Sequence, residues 1–354
     1  MKRLMIMAGG TGGHVYPALA VADLLRQRQV EIVWLGTQYG LEARAVPAAG
    51  YPIEWIHVKG LRGKGLAGWL LSPYRILRAS AEALMVIRRR RPDALLGMGG
   101  FVSGPGGLVA RLLRLPLMIH EQNAIAGLTN RGLSRLATRV FTGFPQVLGR
   151  AEHLGNPLRQ GFIDNAGSVD SKIEDRKVRL LVVGGSLGAR ALNEVVPQAL
   201  SLMQSDARPE VHHQSGRGSG VELESVYEEL GVEAAVDEFI DDMAGAYRWA
   251  DVVVCRAGAM TVAEVSAAGV AALFVPFPHA VGDHQTANAR YLADQDAALV
   301  IQQSDLEAPV LANELRRLVD SPELIVAMGQ RARSLARLSA TQDIADACWE
   351  VMHA

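Results

Sequence analysis

The chain has 354 residues, 49% of them hydrophobic and 21% charged, with a formal net charge of -1. This length suits two domains better than one, and the composition is that of a globular chain and not of a disordered one. A balance so close to neutral excludes any global attraction to nucleic acid, so an acidic partner such as a membrane surface would need a local basic patch.

The chain opens on Met1-Lys2-Arg3, as a signal peptide can, but the apolar run 4–8 is too short for one and is read as a strand. Further strands are predicted at 31–36, 53–58, 94–97, 117–120 and 139–142. A second series falls at 178–183, 211–214, 235–240, 251–255, 271–275 and 298–301. The segments between them carry helical spacing, as with Val15, Leu19, Ala22 and Leu25 on one face. Strands alternating with helices imply parallel sheets covered on both sides. The expectation is therefore α/β, with two doubly wound Rossmann-like domains. The turn-rich stretch from Gly155-Asn156-Pro157 to about Arg176 marks the join. Domains are expected at 1–157 and 158–340, with a C-terminal helix at 341–354 that packs back on the first. Cys255 and Cys348 form no CxxC pair, so neither a disulfide framework nor a zinc site is expected, and a reducing compartment fits. No apolar stretch approaches the roughly 18 residues needed to span a bilayer.

Four loops follow strands and carry glycines. The first is Ala8-Gly9-Gly10-Thr11-Gly12-Gly13-His14, just before a helix. The second runs from Gly97 to Gly107, the third from Gly184 to Arg190, and the fourth from Cys255 to Thr261. Glycines let the backbone approach a ligand closely, and a helix N-terminus offers N–H groups to a phosphate. The loops are expected to face each other across a cleft. A nicotinamide fingerprint fails, because Val15 stands at the third glycine position and the second strand ends without an acid. No P-loop is present. What remains is a diphosphate site that calls for no cofactor. Asp294-Gln295-Asp296 matches a metal-binding DxD in letters, but late in a helical stretch it reads as a solvated helix end, so no metal is expected.

Several polar residues stand at these loops. Glu264 is expected in the first turn of its helix, either taking ribose hydroxyls or complementing the helix dipole. His14 is either a general base, its neutral form favoured by the positive helix end, or a structural histidine. Glu121, in His120-Glu121-Gln122-Asn123, is the rival base, and Asn123 is placed to bind a sugar hydroxyl or amide. Gln285 lies in a polar run suited to sugar hydroxyls.

Together the motifs GGTGGHVYPALAVA, GMGGFVSGPGG, HEQNAIAGLTN, GNPLR, GGSLGAR and CRAGAMTVAE, in that order, resemble one family along the whole chain. It is the UDP-N-acetylglucosamine–N-acetylmuramyl-(pentapeptide) pyrophosphoryl-undecaprenol N-acetylglucosaminyltransferase family of peptidoglycan synthesis. The resemblance implies the two-domain GT-B fold and an inverting transfer of N-acetylglucosamine from UDP-N-acetylglucosamine to a lipid-linked muramyl pentapeptide at the inner membrane. It also implies roles. Thr11, Gly12 and Gly13 would contact the donor or its diphosphate, with Asn123 on the sugar side. Arg159 and Ser186 would hold the diphosphate, and Ile240 would meet the uracil through its backbone. Ala259, Met260, Thr261, Val262, Ala263 and Glu264 would cradle phosphate and ribose, and Gln285 would read the N-acetylglucosamine. The sequence departs from the family at Phe101, where tyrosine is usual, and at Ala257 and Ala263, where serines are usual. The loop before Gln285 is one residue longer than in some relatives.

Two alternatives of other classes are a UDP-N-acetylglucosamine 2-epimerase of the same broad fold and a non-catalytic nucleotide-sugar-binding regulator. Only the transferase needs a lipid surface. The stretch 59–91 bears Lys59, Arg62, Lys64, Arg75, Arg78 and Arg88 to Arg91 against one acid, Glu82. It also bears Trp69, Leu70, Leu71 and Tyr74. Cations beside apolar side chains suit an anionic membrane surface; a helix pair with a solvated basic end is the plainer reading.

Overall fold

Each apolar run of the first half becomes a strand of one parallel sheet. The computed structural model describes residues 1–58, 72–164, 173, 176–185 and 188–354. It places β1 at Arg3–Ala8, β2 at Glu31–Gly36, β3 at Ile53–Trp55, β4 at Ala94–Gly99, β5 at Leu117–Glu121, β6 at Arg139–Thr142 and β7 at Glu152–His153. Their order is β3-β2-β1-β4-β5-β6-β7, all parallel. Strand alternation sends Leu4, Ile6 and Ala8 into one apolar layer, with the helices Gly12–Gln27 and Ala340–His353. Met5 and Met7 enter the opposite layer, with the helices Ser72–Arg90 and Ser103–Leu112. All five side chains are fully buried, and burial of a large apolar one contributes about 1.5–3 kcal/mol. This unit comprises Met1–Arg159 with Arg337–Ala354. The last helix belongs to it because Ile344, Ala345, Cys348 and Met352 fill the first layer.

The second unit, Gln160–Ala336, repeats the plan. β8 (Arg179–Val183), β9 (Glu210–Gln214), β10 (Ala235–Asp237), β11 (Val252–Cys255), β12 (Ala271–Phe274) and β13 (Leu299–Val300) form a parallel sheet. Its order is β10-β9-β8-β11-β12-β13. Leu180, Val182, Val252 and Val254 pack on the helices Arg190–Ser201, Ala308–Val319 and Pro322–Ser334.

Three strands are markedly shorter than the apolar runs suggest, and of the expected 298–301 β13 keeps Leu299–Val300. β3 stops at Trp55 and β10 at Asp237, where the expected strands continue to 58 and 240. Both are edge strands, and each ends opposite the last residue of its only neighbour, Gly36 of β2 or Gln214 of β9. β7 is not foreshadowed, because Glu152-His153 is polar and offers no apolar run. In both sheets the order reverses beside the first strand, between β1 and β4 and between β8 and β11. Ligands of doubly wound sheets bind outside the carboxyl ends of the strands at such a point. The four glycine loops follow those four strands.

Candidate active site

In the first unit the loop after β1 is held from below by a buried acid. Glu42, fully buried, accepts from the Gly10 N–H at 2.8 Å through Oε2. Its Oε1 accepts from the Thr37 N–H at 3.0 Å and the Thr37 hydroxyl at 2.7 Å. The sequence offers no strong sign of this role, since an acid six residues past a strand looks like any helix start. Above it, Thr11 is the exposed N-cap of helix Gly12–Gln27 and makes no side-chain cap bond to it. Gly12 and Gly13 follow, and His14 is the third residue of the helix, half-buried.

The loop after β4 leans on this one. Gly100 has a φ of 83°, and a Cβ there would run into the Gly9 carbonyl. A Cβ on Gly99, whose φ is 103°, would lie 2.5 Å from His14 Nδ1. Two glycines thus make the space that the imidazole fills. The Ser103 hydroxyl, fully buried, ties the two strand ends by bonding to the Met7 and Gly99 carbonyls, each at 3.0 Å.

The segment after β5 closes the group. Glu121 is buried, 3% exposed. Its Oε1 accepts from the Asn123 N–H at 3.0 Å and from Asn123 Nδ2 at 3.3 Å. Its Oε2 accepts from the Gly127 N–H at 3.1 Å and from Asn130 Nδ2 at 2.9 Å. A carboxylate so engaged shapes the loop 121–130. His120 is fully buried, bonds to the Gly155 carbonyl at 2.8 Å, and is held neutral with its pKa pushed down to about 4 by burial. Arg159 is exposed, its guanidinium 5.6 Å from the Tyr16 ring centre.

In the second unit the loops after β8, β11 and β12 surround a pocket of about 570 Å³, lined among others by Gly188, Arg190, Arg256, Phe277, His279 and Gln285. The Gln285 side-chain oxygen accepts from the Ala257 N–H at 3.2 Å and the Phe277 N–H at 2.9 Å. It therefore ties two loops together, and what it can offer a sugar is its Nε2. Arg256 donates to the Val275 carbonyl at 3.0 Å and to Gln303 Oε1 at 2.6 Å, and burial lowers its pKa. Sequence reading passed over Arg256, although a cation directly after a strand of such a site is a signal.

Glu264 is not in the first turn of its helix. Gly258, extended at φ -61° and ψ 148°, is the N-cap of helix Ala259–Ala268, so the first turn is Ala259, Met260, Thr261 and Val262. Glu264 lies in the second turn, half-buried. Because the dipole effect fades beyond one turn, this placement weakens the dipole explanation of the residue. Ala259 and Val262 have buried side chains, and the Val262 N–H already bonds to the Gly258 carbonyl at 3.0 Å, while Met260, Thr261 and Ala263 are half-buried. Ile240 is buried, in the loop three residues beyond β10. Asp294 ends helix His284–Ala293, and Asp296 has a φ of 51° in the turn that follows. Ser186, Trp69, Leu70 and Leu71 lie outside the described residues.

The structure thus gathers His14, the Thr11–Gly13 loop and the segment carrying Glu121 and Asn123 in one unit. It gathers Gln285 with the loop that leads to Ala259–Glu264 in the other.

The chain matches the glycosyltransferase family 28 N-terminal domain over residues 4–142 and the corresponding C-terminal domain over residues 179–347. A UDP-N-acetylglucosamine–N-acetylmuramyl-(pentapeptide) pyrophosphoryl-undecaprenol N-acetylglucosamine transferase of Nitrosococcus oceani is 53% identical over 354 residues, covering 99% of this chain and 98% of that relative. A protein of the same name from Methylococcus capsulatus is 52% identical over 352 residues, covering 99% and 98%. Among solved structures, Acinetobacter baumannii MurG has a TM-score of 0.83 at 40% identity, covering 99% of this chain and 100% of that one. The calicheamicin glycosyltransferase CalG4, with a TM-score of 0.73 at 16% identity over 100% and 99% of the two chains, shares the fold alone.

Proposed function

Since the chain belongs to glycosyltransferase family 28, and within it to the UDP-N-acetylglucosamine–N-acetylmuramyl-(pentapeptide) pyrophosphoryl-undecaprenol N-acetylglucosamine transferases, we propose that His14 is the general base of the transfer. The fold is GT-B, two parallel-sheet α/β units. The reaction moves N-acetylglucosamine from UDP-N-acetylglucosamine to the 4-hydroxyl of undecaprenyl-diphospho-N-acetylmuramoyl-pentapeptide. The observation that carries it is 53% identity to a transferase of that name along 99% of the chain. The 2-epimerase reading finds no support among these relatives. UDP release that depends on the lipid-linked acceptor is the test of this function.

In the proposed mechanism His14 takes the proton of the acceptor hydroxyl as its oxygen attacks the anomeric carbon. The carbon–oxygen bond to UDP breaks, and the configuration inverts. Negative charge grows on the leaving diphosphate, where first-turn N–H groups such as those of Met260 and Thr261 stabilise it more than in the ground state. Glu264 accepts the ribose hydroxyls, Gln285 donates to the sugar through Nε2, and Ile240 meets the uracil. Thr11, Gly12 and Gly13 serve the donor side, as do Asn123 and the cation Arg159. Glu121 is left a structural part, because its two oxygens already serve the loop 121–130.

A prenyl-linked acceptor stays in its bilayer, so the enzyme must come to it. Among the described residues no helix is long and apolar enough to cross a membrane. The proposed docking face is the helix pair Ser72–Arg90 and Ser103–Leu112. Tyr74, Leu77 and Met85 are exposed on the first helix and Leu108 and Leu112 on the second. Arg88, Arg91, Arg111 and Arg114 are exposed beside them, and Arg75 is half-buried. Arg78 is paired with Glu82 at 3.0 Å, which also accepts from the His57 N–H, so its charge is partly spent. Each cation near anionic lipid contributes about 1 kcal/mol. In vesicle co-sedimentation the protein should favour anionic over neutral lipid at the cytoplasmic-type charge density. High salt should reduce that preference, since screening acts within roughly 10 Å at moderate ionic strength. Equal binding to both lipids, or none, would remove this docking face and leave the transfer reaction standing.

A further inference from the structure

We propose that Gln122 is a positioning residue that fixes His14 as the Nδ1–H tautomer, so that the lone pair able to accept a proton stands on Nε2. The assignment deepens the reading of His14 as base, on which its catalytic meaning rests.

The argument is one of donors and acceptors. Gln122 is 1% exposed, so its amide must find its partners inside the protein. One end of the amide lies 2.7 Å from the Met98 carbonyl oxygen. A carbonyl oxygen can only accept, so this end is the NH2 group. The other end, Oε1, then faces His14 Nδ1 at 3.2 Å. An amide oxygen can only accept as well, so a hydrogen bond there requires a proton on Nδ1. Neutral imidazole has one N–H, and Nε2 is therefore the basic nitrogen.

The rest of the packing keeps this arrangement from turning over. Reversing the amide would set an oxygen against the Met98 carbonyl in a buried site, at the cost of an unpaired acceptor on each side. The Gln122 backbone is held in turn, its carbonyl accepting from Asn156 Nδ2 at 3.1 Å. Gly99, next to Met98 in the chain, provides the room in which the Nδ1 edge of the ring sits. When His14 takes the acceptor proton on Nε2, the Nδ1–H bond to Gln122 becomes charge-assisted and strengthens. Gln122 itself gains and loses no proton. An amide differs here from the carboxylate of a catalytic triad: it orients the ring without adding a negative charge.

The test is nitrogen NMR on the full-length protein labelled with 15N at histidine, with His14→Gln assigning the His14 signals. At a pH where the ring is neutral, the parent protein should show His14 Nδ1 as the protonated nitrogen and Nε2 as the unprotonated one. In Gln122→Met, which keeps the volume and removes the amide, the two nitrogens should move toward averaged shifts. Turnover should fall roughly tenfold, the worth of one hydrogen bond to the ring, with donor affinity unchanged. The proposal is overturned if parent His14 carries its proton on Nε2 or shows an even mixture. It is also overturned if Gln122→Met leaves the tautomer as it was. Should that variant fail to fold, the parent spectrum decides alone. Full turnover in His14→Ala would instead sink the base reading and leave the tautomer result untouched.

Discussion

His14→Ala is expected to lower kcat by roughly 100-fold or more while the affinity for UDP-N-acetylglucosamine changes little. That is the signature of losing a proton acceptor that acts in the transition state and contributes little to donor binding. The ring lies at the third position of its helix, in space made by Gly99, and at the end of the β1 loop. Steady-state kinetics with donor and lipid acceptor, beside calorimetry with donor alone, separates the two quantities. Glu121→Ala supplies the contrast. It removes an acceptor that Asn123, Gly127 and Asn130 share, and for Asn130, the buried one of the three, the bond left unmade costs about 1–3 kcal/mol. Its expected signature is a lower melting temperature, with any loss of rate following from a disturbed loop. If Glu121→Ala melts like the parent and loses turnover while His14→Ala keeps it, the two roles are exchanged.

Glu264→Gln is expected to weaken donor binding by about 1–3 kcal/mol, or roughly 5- to 150-fold in Kd. The substitution keeps the size of the side chain and removes the charge that two ribose hydroxyls would donate to. Because Glu264 is in the second helical turn, its loss should disturb the helix start little. Stability should therefore stay close to the parent, and the effect should appear in calorimetry with UDP as well as with the whole donor. Unchanged affinity for both would remove the ribose role.

Every described strand but β7 was legible because a buried parallel strand is a short apolar run between turn formers. Where a strand ends is set by its neighbour, which is why β3 and β10 stop early. The glycine loops were legible from their letters, whereas the strand order that puts them at the switch points depends on which strands pair. Side-chain pairing was not. Glu121 reads as a candidate base because carboxylates at strand ends gather in active sites, and its four hydrogen bonds to the loop 121–130 leave no mark in the sequence. Glu42 and Gln122 act through partners 32 and 108 residues away in the chain, Gly10 and His14. No local pattern encodes such a separation. The position of Glu264 was misjudged by a turn because the start of its helix depends on the extended backbone of Gly258.

The central claim is transfer of N-acetylglucosamine to the lipid-linked muramyl acceptor, and the most direct measurement is the product itself. The enzyme, UDP-N-acetylglucosamine and undecaprenyl-diphospho-N-acetylmuramoyl-pentapeptide are incubated together, and the lipid fraction is analysed by mass spectrometry and by NMR at the anomeric position. The expected product is a lipid-linked disaccharide with one UDP released for each, joined at the 4-hydroxyl with the anomeric configuration inverted from α to β. Release of UDP together with a free sugar epimerised at C2, and no lipid-linked disaccharide, would contradict the assignment.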